Sequence, residues 1–227
     1  MHTYPIPGFS EPVSSIMHLL GAGVFTVLSV SLLRRGRESL GRLVLLGVFA
    51  FACVFLLTMS GVYHMLSPGG AGREVMRRLD HAAIFILIAA TFTPIHGILF
   101  RGWRRWLPLA FIWAAAVAGI CLKTIFFNSI PYSLGLAMYL LLGWFGLISA
   151  VMLWKQFEPP YVTLPLLGGL AYTVGAIIEV VDWPVLIRCV VGPHELFHIA
   201  VLAGIGFFWS FVHAIAAGDV SYSDSTS

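Results

Sequence analysis

His194 and His198 stand four residues apart in the run HELFH, so on a helix both imidazoles share one face and can grip a single cation. Ser60 and His64 repeat that spacing in SGVYH, and Asp80 begins the run DHAAIF. Three imidazoles with one position left open make a catalytic zinc set, and zinc lowers the pKa of water in that position to about 7. A carboxylate beside such a water can accept its proton, which is the role expected of Asp80. Ser60 is expected to orient that carboxylate or to donate to a developing oxyanion. HELFH also has the form HExxH, in which Glu195 would be the base of a metalloprotease. That reading lacks a third ligand, because only His213, near the far end of the helix, follows His198.

These residues must be positioned by unusually apolar elements. Of 227 residues, 59% are hydrophobic and 10% charged, and the mean hydropathy is +0.93. Soluble domains carry about 25% charged residues, so a soluble enzyme is excluded. Seven segments are long enough to cross the roughly 30 Å hydrocarbon core: Ser15–Leu33, Gly41–Met65, Asp80–Phe100, Trp106–Phe127, Tyr132–Leu153, Val162–Val181 and His194–Ala217. The chain therefore reads as all-α, an integral membrane bundle of seven transmembrane helices forming one domain over residues 1–227. It is expected to be a multi-pass protein of the cell membrane, with a disordered tail over about 218–227. The first segment, lacking a small-residue cleavage site, is expected to stay as a membrane helix. A net charge of +3, dispersed between the apolar runs, argues against a nucleic-acid partner. Three cysteines without CxxC spacing are expected to pack rather than to pair.

An ionisable group at the centre of a membrane helix costs about 2.5–3.5 kcal/mol and usually marks function. The end of the second segment and the starts of the third and seventh all face the N-terminal side. Ser60, His64, Asp80, His194 and His198 therefore come to one depth. His18, one turn into the first segment on that side, is a candidate for a supporting role. His81 points roughly 100° away from Asp80 on a helix and is assigned to packing. His2, His96 and His213 have no partners at useful spacing and are assigned likewise.

The order SGVYH, then RRLDHAAIFILIAATFTP, then HELFHIAVLAG resembles the hemolysin III branch of the progestin and adipoQ receptor family, which is related to alkaline ceramidases. The likeness runs from about Glu11 to Ala216 and includes SSIMHLLGAG, LLGWFG and GGLAYTVGAI. It implies a seven-helix bundle with zinc on His64, His194 and His198, the family aspartate at Asp80 and its serine at Ser60. Adiponectin receptors and ceramidases of this type hydrolyse the amide of ceramide-like lipids. Two departures stand out: Phe208 replaces a further histidine of many relatives, and Glu179, followed by Asp182, replaces an aromatic. The leading expectation is a zinc-dependent hydrolase of a lipid amide, with a membrane lipid or fatty-acyl substrate reaching the site between helices. The alternatives are a receptor or membrane-stress sensor with structural zinc, and a pore or metal transporter.

Overall fold

Breakers and caps set the helix boundaries in the computed structural model, which describes residues 4–157 and 159–218. Helix α1 (Pro12–Arg35) starts on a proline, whose missing N–H costs nothing in a first turn. Helix α2 (Leu40–Met65) starts behind Ser39, whose hydroxyl accepts from Arg42 N at 3.1 Å. Next come α3 (Ala71–Leu99), α4 (Trp103–Ile125), α5 (Tyr132–Trp144), α6 (Gly146–Trp154), α7 (Pro159–Val181) and α8 (Pro193–Ala217). Helix α8 ends at Gly218, whose φ of +78° is the left-handed cap that glycine adopts without strain.

Seven spans are long and apolar enough to cross a membrane, α5 and α6 together forming the fifth. Helices adjacent in sequence pack as neighbours, and α8 closes the bundle against α1, α2 and α3. Phe49 and Leu57 of α2 and Ile205, Phe211 and Val212 of α8 are buried in one hydrophobic core. Val27, Leu141, Ile148 and Leu170 are exposed on the outside, as lipid-facing residues are. The protein is an all-α, multi-pass membrane protein.

Two expected boundaries change. The third helix begins at Ala71, so Asp80 lies well inside it and does not cap it. The stretch REVMRR is too charged to count as membrane core, yet nothing after Gly70 breaks a helix there. The fifth span is interrupted at Phe145, within the apolar run GWFG, where no charge or proline gives warning. The cysteines are free; Cys53 is buried in the core, whereas Cys121 is exposed and Cys189 half-buried. The tail from 219 and His2 lie outside the described residues.

Candidate metal centre

The last turn of α2 and the first turns of α8 bring His64, His194 and His198 together. One ring nitrogen from each lies within 4.8 Å of the others. His64 and His198 are buried, and His194 is partly so. The Nε2 atoms of His64 and His194 are 3.5 Å apart. Two nitrogens on one tetrahedral zinc, each at 2.0–2.1 Å, would be roughly 3.3 Å apart, so the spacing suits a shared ion.

Hydrogen bonding behind the rings strengthens that fit. His64 Nδ1 donates to Glu11 Oε2, and His194 Nδ1 donates to Glu179 Oε1 at 3.1 Å. A neutral imidazole protonated at Nδ1 carries a lone pair at Nε2. The two facing Nε2 atoms then repel, and a cation between them turns the repulsion into two bonds. A carboxylate behind each imidazole is the usual outer support of a metal-bound histidine. Among the described residues His198 has no such support, its Nδ1 being buried without a hydrogen-bond partner. Its ring stacks on the buried His18, with centroids 4.1 Å apart. His18 thus touches the cluster, from the side on which it was expected to support it.

Glu11 is itself firmly held. Its other oxygen accepts from Arg73 Nη2, while Arg73 Nη1 donates to Leu66 O. Backbone N–H groups of Ser10 and Glu11 donate to Met65 O at 3.1 Å and His64 O at 3.0 Å. Burial alone would raise the Glu11 carboxyl, but the hydrogen bonds and charges of His64 and Arg73 outweigh it and hold the pKa at about 2. Glu179 also accepts from the Tyr132 hydroxyl at 2.8 Å. Neither carboxylate was singled out for this role by spacing. Glu11 precedes the first helix, far in sequence from His64, and Glu179 stood out only as a departure from relatives.

Ser60 and Asp80 line one cavity of about 140 Å³ with the three histidines, Lys123 and Tyr139. A second cavity, about 200 Å³, lies between α3, α5, α6, α7 and α8. The two share Leu56, Ile84, Leu136, Tyr139, Phe197 and Val201 as walls. The second is apolar, because its Thr91 and Thr173 hydroxyls turn back to carbonyls of their own helices at 2.7 and 2.8 Å.

His81 and His96 find other partners. His81 Nδ1 donates to Arg77 O at 2.7 Å and its ring meets Phe127 edge-on. It also lines the metal-side cavity, so it is not turned wholly away. His96 Nδ1 donates to Arg104 O at 2.9 Å, and its Nε2 accepts from Ser149 Oγ at 2.8 Å. Glu195 does not suit a protease base. Its Oε2 accepts from Gly192 N at 2.8 Å and its Oε1 from Ser14 Oγ at 3.1 Å, so it caps α8 and ties it to α1.

Fold and site define a class: a seven-span α-helical membrane protein with a histidine cluster, able to hold a metal ion, at one end of the bundle. Residues 9–209 match the family described as Haemolysin-III related, and the chain belongs to that family. It is 30% identical over 200 residues to Hemolysin-3 of Bacillus cereus, covering 86% of each chain. It is 29% identical over 157 residues to Hemolysin-3 homolog of Bacillus subtilis (strain 168), covering 69% of this chain and 70% of that one. Heptahelical transmembrane protein 5 of Arabidopsis thaliana is 28% identical over 173 residues, which cover 69% of this chain and 46% of the plant protein.

Proposed function

We propose that the protein is a membrane-embedded, zinc-dependent hydrolase of an acyl bond in a lipid, most simply an amide. The observation that carries this reading is the adjacency of the histidine cluster to an apolar cavity through shared walls. An acyl chain in the apolar cavity puts its carbonyl at the boundary between the two. Zinc held by His64, His194 and His198 would supply Lewis acidity and a water of lowered pKa. Asp80 takes the proton of the attacking water as the new C–O bond forms, and passes it to the departing amine as the C–N bond breaks. Ser60 donates to the carbonyl oxygen as charge builds there. Glu11 and Glu179 keep His64 and His194 in the tautomer with Nε2 free.

Three histidines rather than four ligands form the cluster among the described residues, which favours a site with an open position over a purely structural one. The apolar character of the second cavity does not suit a conducting pore. The test is turnover of labelled ceramides and simple acyl amides by purified protein carrying stoichiometric zinc. Release of fatty acid, lost in Asp80→Asn, is the expected result; no turnover of any of them by the zinc-loaded protein overturns the reading.

A further inference from the structure

Lys123 sits in the last turn of α4, where a cation suits the helix dipole, yet it is only 4% exposed. A lysine at a membrane boundary ordinarily snorkels, extending its ammonium into water. This one turns inward and lines the cavity that holds Asp80, His64, His194 and His198. Three cations surround the Phe127 ring: Arg77 at 4.5 Å, Arg78 at 5.1 Å and Lys123 at 5.1 Å. Two of them have partners of their own. Arg77 pairs with Glu74 at 2.7 Å, and Arg78 Nη1 donates to Thr124 O at 2.6 Å. Among the described residues no carboxylate pairs with Lys123. Space is kept for its ammonium by Gly135 of α5, where an added Cβ would come within 2.8 Å of Nζ.

We infer that Lys123 is the anion-binding subsite of this cavity, and that the lipid it admits carries a carboxylate or phosphate near the acyl bond. This rests on the acyl-lipid reading above and narrows its substrate class. A neutral ceramide would leave the ammonium beside two guanidinium groups with only the Phe127 face against it and no paired carboxylate, although Asp80 and Glu179 line the same cavity. An anionic headgroup supplies the missing partner. The subsite lies on the polar side of the shared walls, so the headgroup stays with the metal ligands while the chain enters the apolar cavity.

The test uses metal-loaded protein in neutral detergent with two probes, N-oleoylglycine and N-oleoylethanolamide. These share chain and amide but differ in a carboxylate against a hydroxymethyl group. Each is labelled in its amine portion, retention on the protein is read by scintillation proximity, and oleate release is read by mass spectrometry in the same samples. Wild type is expected to bind the anionic probe about tenfold or more tightly. Lys123→Gln should bring the two probes to parity, and Lys123→Arg should keep the preference. Gly135→Ala, which crowds Nζ, should shrink it. A phosphate source is separated by competition on wild type: oleoyl lysophosphatidic acid that displaces N-oleoylglycine below equimolar concentration assigns the subsite to phosphate, and failure to displace it in excess assigns it to carboxylate. Equal binding of both probes by wild type, or a preference that survives Lys123→Gln, overturns the subsite. A preference without oleate release sinks the hydrolase reading and leaves the subsite standing; release from both probes without preference does the opposite.

Discussion

The Glu11 carboxylate and the His64 imidazole are joined through Nδ1, although 53 residues separate them in the chain. One belongs to the segment before the first helix and the other ends the second. Their bond leaves His64 Nε2 free to face His194 Nε2. The histidine cluster thus has a supporting group that no single helix supplies.

Glu11→Gln removes the charge behind His64 while keeping the side chain's shape. Metal affinity is expected to fall about 10–100-fold, read by competition with a chromophoric chelator. An unchanged affinity would show that the bond merely anchors the segment.

The same residue gives a pH dependence of known sign. The folded carboxyl sits at about 2 against an ordinary 4.5, so its ionised form stabilises the fold. The stability difference between wild type and Glu11→Gln is therefore full above pH 4.5 and closes as the pH falls towards 2. Thermal unfolding in detergent at stepped pH measures it; a difference that grows on acidification contradicts the assignment.

His64→Ala and His198→Ala each remove one of the three clustered nitrogens. Elemental analysis should find a transition metal at near-stoichiometric occupancy in wild type and little in either variant. Asp80→Asn should keep the metal yet lose about a hundredfold or more of any hydrolysis, separating a proton acceptor from a ligand.

Glu195→Gln distinguishes a cap from a catalytic base. The side chain bonds Gly192 N and Ser14 Oγ, so the variant should lose about 1–3 kcal/mol of stability and keep its metal. Complete loss of turnover in a stable, metal-bound Glu195→Gln protein would revive the protease reading.

Gly61→Ala probes the approach of α1 to α2 beside the cluster. An added Cβ would sit 2.7 Å from Leu19 Cγ and 3.1 Å from Leu19 N, and a backbone atom cannot swing aside. Overpacking of this kind costs about 1–3 kcal/mol. Gly61 O also accepts from Ser15 Oγ at 2.8 Å, so metal affinity should fall along with the melting temperature.

The seven crossings were legible because each is a long apolar run between charged punctuation, and the histidines because i, i+4 spacing needs no tertiary knowledge. The early start of α3 was not, since hydropathy tracks the lipid and not the helix: Arg73 lies outside the apolar run yet reaches back to Glu11 from the first turn. The carboxylates behind the clustered histidines were hidden for another reason. His194 and Glu179 meet only because the segment from Asp182 to Gly192 folds α8 back against α7, and no periodicity reports such a meeting. His96 was hidden likewise, its partner Ser149 being contributed by a helix far along the chain.

Because Tyr4 N donates to Cys189 O at 3.0 Å and Ser10 and Glu11 lie against the end of α2, the segment ahead of α1 is pinned beside the histidine cluster. A purification handle fused ahead of it would strain those bonds, and a polyhistidine handle would compete for any ion that the cluster holds. Recombinant work should place any fusion at the opposite terminus, beyond Gly218, where α8 has already ended far from the imidazoles.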